Sequence, residues 1–220
     1  MRETNGADRG PRAWMLAGIA AVAAAGFGAL AVAAARRDTA RADEALRKRT
    51  RAAPGHPARD AAEAAAPVGK WWTYFPAALA ASAWVLYAPG ERASTSRKTG
   101  AGAVLLAGGV ATALNPAFDE VLPRPPAPPG HESRRKPVFP SGHAFGPGAV
   151  AFTSAYVLAR EGSARPGSAV AAAAAVPLAT SAGRVLVEKH WASDVLGGYL
   201  AAVCLAATCA AVYELARDPA

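Results

Sequence analysis

Cysteine, charge and a polar helix face are what this 220-residue sequence has little of. Its two cysteines, Cys204 and Cys209, lie in one apolar stretch and point in different directions on a helix, which argues against a local disulfide or a paired thiolate metal site. Charged residues make up only 18% against a hydrophobic content of 52%, and long Ala-rich stretches carry no charge at all. Those stretches also lack the polar stripe at a 3.6-residue period that a surface helix carries. A soluble Ala-rich bundle therefore accounts for them less well than membrane spans do. The formal net charge is +8, yet no groove-reading helix or aromatic platform accompanies it, which argues against nucleic acid as a partner. Basic residues lying between apolar segments fit anionic lipid headgroups instead.

What is present is a series of apolar runs at 14–35, 71–88, 101–118, 144–159, 169–187 and 195–213. A helix needs about 20 apolar residues to cross the hydrocarbon core, with roughly 17 tolerated, and the fourth and fifth runs are the weaker candidates. The expected fold class is all-α, a multi-pass membrane helical bundle of about six transmembrane helices. Trp71, Trp72 and Tyr74 open the second run, and Trp191 and Tyr213 flank the sixth, where amphipathic rings sit at headgroup level. The first run follows Arg2, Arg9 and Arg12 and is longer than the usual signal core, so it reads as an uncleaved span.

Residues 1–70 read as an N-terminal transmembrane helix with a polar basic connector, and 71–220 as the core of the bundle. Pro54, Gly55 and Pro57 interrupt the connector; 38–51 is expected as an exposed helix and the rest as linker, with no catalytic role. The run 119–140 is a Pro-rich, basic loop of a length that is disproportionately functional. Span counting puts this loop and the turn at Lys189-His190 on one side of the membrane. With the amino terminus inside, that side is the external face of the cell membrane. The basic connector falls there too, against the positive-inside tendency.

Three groups of residues carry chemistry. Arg184 is followed by five residues, His190, three residues and Asp194. On a helix beginning near His190, positions i and i+4 share a face, so the Asp194 carboxylate can fix the imidazole tautomer and leave the other nitrogen free to attack. A surface His–Asp pair at a helix start is the plainer alternative. Pro140-Ser141-Gly142-His143 directly precedes the fourth run. Gly142 admits close backbone approach, helix-start amides favour an anion, Ser141 donates a hydrogen bond and His143 a proton. The plainer alternative there is a capping hydroxyl. Arg124-Pro125 lies on the same loop, and Arg124 and Arg184 each offer a donor fork suited to phosphate oxygens. Two arginines, two histidines and a helix start make a phosphoryl-transfer site with no metal or other cofactor.

These residues resemble the type 2 phosphatidic acid phosphatase (PAP2) superfamily of membrane lipid phosphatases, which also takes in vanadium-dependent haloperoxidases. The family pattern runs Lys-x6-Arg-Pro, Pro-Ser-Gly-His, Ser-Arg-x5-His-x3-Asp, and the three blocks recur here in order between residues 115 and 198. The resemblance implies a PAP2/haloperoxidase-like helical core and a phosphohistidine formed on His190, with Asp194 orienting it. It further implies that His143 protonates the leaving oxygen and that Arg124, Ser141, Gly142 and Arg184 bind phosphate. The substrate it implies is a membrane lipid phosphate or diphosphate.

Two positions depart from the pattern. Ala117 stands where the family has lysine, and Gly183 where it has serine. A fixed charge-assisted contact is worth roughly 1.5 to 3 kcal/mol, so the lysine is the larger loss; Arg134, Arg135 or Lys136 on the same loop are the candidates to replace it. The alternatives to a hydrolase are a lipid phosphotransferase, or a catalytically weakened protein that binds or transports lipid phosphates.

Overall fold

The computed structural model describes residues 9–87, 94–122, 126–129 and 139–217. It is all-helical among these residues. Helix α1 (Arg9–Arg36) ends where Arg37 takes a left-handed φ of 63°. Helices α2 (Ala40–Thr50) and α3 (Pro57–Ala65) follow, and then a short 3-10 turn (Ala66–Gly69). The remaining helices are α4 (Trp71–Tyr87), α5 (Ser94–Val121), α6 (Gly142–Arg160), α7 (Pro166–Leu186) and α8 (Ala192–Ala216). Both α3 and α7 start on a proline, whose fixed φ suits the first helical position and whose missing N–H is no loss there.

Four helices, α1, α5, α7 and α8, are long and apolar enough to cross a membrane. Helix α4 has 17 residues, and α6 carries His143, Pro147 and three glycines. Position in the bundle explains the weak apolar signal of α6. It is the central helix, packed against α4, α5, α7 and α8, with 12 of its 19 residues buried. A helix screened from lipid needs close-packing surfaces rather than an apolar exterior. The outer helices do the reverse: Trp14, Val22 and Leu215 are exposed, and only 17% of the apolar window of α1 is buried. An exterior of that kind suits hydrocarbon.

The site end of the bundle is tied together by aromatic rings. Phe27 of α1 stacks on Phe139 at 5.6 Å and meets Phe118 of α5 at 5.7 Å, and Phe118 meets Phe145 of α6 at 5.3 Å. At the other end buried carboxylates join α5, α6 and α8. Ser96 and Tyr213 donate to Glu161, while Glu214 accepts from Tyr156 at 2.8 Å, Arg160 at 2.6 Å and Arg217 at 3.0 Å.

Small residues let α8 come close to the start of α6. A Cβ at Gly198 would lie 2.6 Å from the Ser141 carbonyl oxygen and 2.7 Å from the Ala144 Cβ. Gly198→Ala is therefore expected to destabilise the folded protein by about 1–3 kcal/mol and to displace Ser141. A lowered unfolding temperature in detergent would show it; an unchanged unfolding temperature would count against this packing.

The connector departs most from expectation. The helix expected at 38–51 is present as α2, but its Asp43 is buried, not exposed. Residues 57–69, expected as linker, are helical. The local cause is an N-terminal cap, with the His56 ring accepting from the Ala58 N–H at 3.1 Å ahead of Pro57. The tertiary cause is that Ala62 of α3 is buried against Gly183 of α7, where a Cβ on Gly183 would lie 3.1 Å from that of Ala62. The connector thus closes over the end of the bundle where α6 and α8 begin.

Candidate active site

The turn between α7 and α8 makes the spacing from Arg184 to His190 intelligible. The Arg184 carbonyl accepts from the N–H groups of Lys189 at 2.8 Å and His190 at 3.2 Å, closing the end of α7 back on itself. Glu188 adopts a left-handed φ of 58° in this turn, a conformation that costs a non-glycine residue about 1–2 kcal/mol. Its carboxylate accepts from Arg47 of α2. Arg47 is held charged, its pKa raised first by its hydrogen bond to Glu44 and then by that to Glu188.

Asp194 lies in the first turn of α8, where its Oδ2 accepts from the Trp191 N–H at 2.9 Å, a helix-start cap. The same oxygen lies 3.4 Å from His190 Nδ1. One anchored carboxylate oxygen therefore fixes the helix start and orients the imidazole, leaving Nε2 as the nitrogen available for attack. Asp194 is 0% exposed, which decides against a surface ion pair.

The backbone joins this unit to the second group, since the Ser141 N–H donates to the Asp194 carbonyl at 2.8 Å. Ser141 is the N-cap of α6, yet its hydroxyl makes no capping bond and is buried without a partner among the described residues. The capping alternative therefore fails. The His143 and His190 rings lie 6.3 Å apart, and His143 Nε2 is buried without a hydrogen-bond partner among the described residues. Thr180 of α7 steadies this residue by donating to its carbonyl at 3.2 Å. Asn115 of α5 fills the space beside Gly142, its Oδ1 2.9 Å from where a Cβ would stand.

Arg184 is 6% exposed and its Nε has no partner among the described residues, while its Nη2 donates to Glu63 of α3 at 3.0 Å. Lys189 Nζ lies 3.9 Å from the other oxygen of the same carboxylate. Gly69 sits directly on the His143 ring, where a Cβ would approach Cδ2 to 2.3 Å. Asp43 accepts from the Ser193 N–H at 2.9 Å and hydroxyl at 2.7 Å. Beside the site, a cavity of about 440 Å³ is lined in part by Arg37, Arg41, Trp191 and Ser193.

Ser141, Gly142, His143, Arg184, His190 and Asp194 thus lie together at one end of the bundle. Arg124 lies outside the described residues, as do Arg134, Arg135 and Lys136. Ala117 is exposed on α5. Among the described residues, no group of three or more His, Cys, Asp or Glu could hold a metal ion. Sequence reasoning missed Glu63, Gly69, Asp43 and Lys189. The first three come from the connector and meet partners far along the chain, Arg184 for Glu63, His143 for Gly69 and Ser193 for Asp43, and no local spacing signals such contacts. Lys189 adjoins the nucleophile candidate and was open to recognition as a nearby cation.

Fold and site together define a multi-pass membrane helical bundle with a histidine oriented by a buried carboxylate and a buried arginine at one end. The family model of the PAP2 superfamily matches residues 99–218, more than half of the chain, and the protein belongs to that superfamily. Its structure is similar to that of a transmembrane PAP2 type phosphatidylglycerolphosphate phosphatase from Bacillus subtilis. The TM-score is 0.66 at 22% identity, covering 84% of this chain and 91% of that one. No curated protein matches the sequence.

Proposed function

We propose that the protein is a metal-independent phosphatase of the cell membrane that hydrolyses a lipid phosphate or diphosphate through a phosphohistidine on His190. The observation that carries this reading is the single Asp194 oxygen shared by the Trp191 amide and His190 Nδ1, beside polar atoms of Ser141, His143 and Arg184 that have no partner among the described residues. In the first step His190 Nε2 attacks phosphorus and the bond from phosphorus to the leaving oxygen breaks, with His143 supplying that oxygen with a proton. In the second step water, giving a proton to His143, attacks the phosphohistidine, the bond from phosphorus to nitrogen breaks, inorganic phosphate leaves and both imidazoles are restored.

Arg184, Ser141 and the amides that open α6 serve the oxygens on which charge builds in both transition states. Arg124 is assigned to the same task by its motif. Burial first, and then the charges of His190, Arg184 and Lys70, act against protonation of His143. A phosphoryl dianion between them offsets that charge and favours the protonated ring. The surrounding lipid brings a substrate phosphate to the headgroup level at which the helix ends lie. With the amino terminus inside, the site serves the external leaflet.

The test is phosphate release by the detergent-purified protein, with EDTA present, from a panel of phosphatidate, phosphatidylglycerolphosphate and a polyprenyl diphosphate. Release from at least one, unaffected by EDTA, is expected. Binding without release from any would favour the binding or transport alternative that Ala117 raises, and loss of activity in EDTA would overturn metal independence. Product phosphate appearing on an added alcohol instead of as inorganic phosphate would favour the phosphotransferase.

A further inference from the structure

We propose that Glu63 is an internal occupant of the phosphoryl subsite and that Lys189 shares this subsite with Arg184, so that a lipid phosphate binds by exchange with the Glu63 carboxylate. The proposal rests on the phosphatase reading above for the identity of the ligand, and on the contacts of α3 for the rest.

A carboxylate presents two oxygens, and here each faces a different cation: Oε2 lies 3.0 Å from Arg184 Nη2 and Oε1 lies 3.9 Å from Lys189 Nζ. The Arg184 side chain is 7% exposed. A buried guanidinium needs an anion, and one monoanion facing two cations leaves a positive charge over. A phosphoryl dianion matches two cations and presents more oxygens, one of which can also serve the unpartnered Arg184 Nε. Lys189 directly precedes His190, so a phosphate held by Lys189 and Arg184 lies beside the nucleophile. This makes good, from the turn between α7 and α8, the cation that Ala117 fails to supply from α5.

The two acidic contacts of the connector differ in kind. Asp43 is 6% exposed and is fixed by both the amide and the hydroxyl of Ser193, which makes it an anchor. The Glu63 side chain is 44% exposed and meets Arg184 and Lys189. It can swing into water at little cost, while Asp43 keeps the connector in place. Gly183 contributes by leaving room for Ala62, which brings Glu63, one residue further along α3, over Arg184.

The experiment uses the full chain in detergent and measures binding of inorganic phosphate by calorimetry, beside steady-state kinetics on a lipid phosphate. Glu63→Gln keeps the shape and removes the charge. It is expected to tighten phosphate binding by about threefold to fivefold, a discount appropriate to a half-exposed pair, and to lower KM similarly with kcat little changed. Lys189→Ala is expected to weaken phosphate binding by about fivefold to tenfold. In the double variant the gain from Glu63→Gln shrinks, because the two groups share one ligand. Unchanged or weaker phosphate binding in a folded Glu63→Gln protein would make Glu63 a structural support for Arg184 and overturn the proposal. Phosphate binding does not require turnover. Tighter binding in Glu63→Gln beside undiminished activity in His190→Ala would therefore sink the histidine mechanism and leave the subsite standing.

Discussion

Replacing His190 with Ala is expected to lower kcat for phosphate release by about 10⁴-fold or more, the scale seen when a covalent nucleophile is removed from a preorganised site. The size of the effect follows from what remains. On the proposed reading Arg184, Ser141 and the start of α6 still bind the phosphoryl group, so KM is expected to change little, but water must attack without a positioned base. The variant should remain folded. The His190 side chain meets Asp194 at 3.4 Å and the His143 ring at 6.3 Å, while the end of α7 and the start of α8 are held by backbone bonds and by Asp43 on Ser193. An unfolding temperature close to that of the unsubstituted protein checks this point. Activity within about tenfold of the original would exclude His190 as the nucleophile.

His143→Ala is expected to cost about 10²- to 10⁴-fold in kcat on an alkyl lipid phosphate, the range for loss of a positioned general acid. An alkoxide is a poor leaving group, so its departure depends on the proton. A soluble aryl phosphate, whose phenolate leaves unaided, should lose far less. This split between substrates is the informative outcome, because His143 also has a packing role beneath Gly69. Equal losses on both substrates would assign it that packing role and remove it from proton transfer.

Much of the bundle was legible in the sequence because its cause is local. Apolar runs of spanning length mark α1, α5 and α8 directly, whereas the fifth run, read as a weaker candidate, became α7, which is long and apolar enough to cross a membrane. The run that became α6 read as weak because its interior position selects Gly, Ala, Ser and Thr over lipid-facing side chains. Within the site, the i and i+4 relation of His190 and Asp194 and the helix start at Ser141 follow from helix geometry alone. Their backbone link, from the Ser141 amide to the Asp194 carbonyl, does not.

The connector was misjudged for a physical reason. A short helix such as α3 is marginal by itself and forms through tertiary contact, here Ala62 on Gly183. Gly183 reads in the sequence as a lost phosphate contact. In the fold it is the space that admits α3, and so the reason a carboxylate reaches Arg184. Composition marked 36–70 as polar and basic, which is correct, but the contacts of Asp43, Glu63 and Gly69 depend on partners far along the chain.

The central claim is that phosphate passes through His190 in two displacements. The most direct measurement is the stereochemical course of hydrolysis of a lipid thiophosphate made chiral at phosphorus by oxygen isotopes, turned over in isotopically labelled water. Two in-line displacements, the first by His190 and the second by water, give net retention of configuration. Net inversion would mean that water attacks phosphorus directly, and would contradict the account.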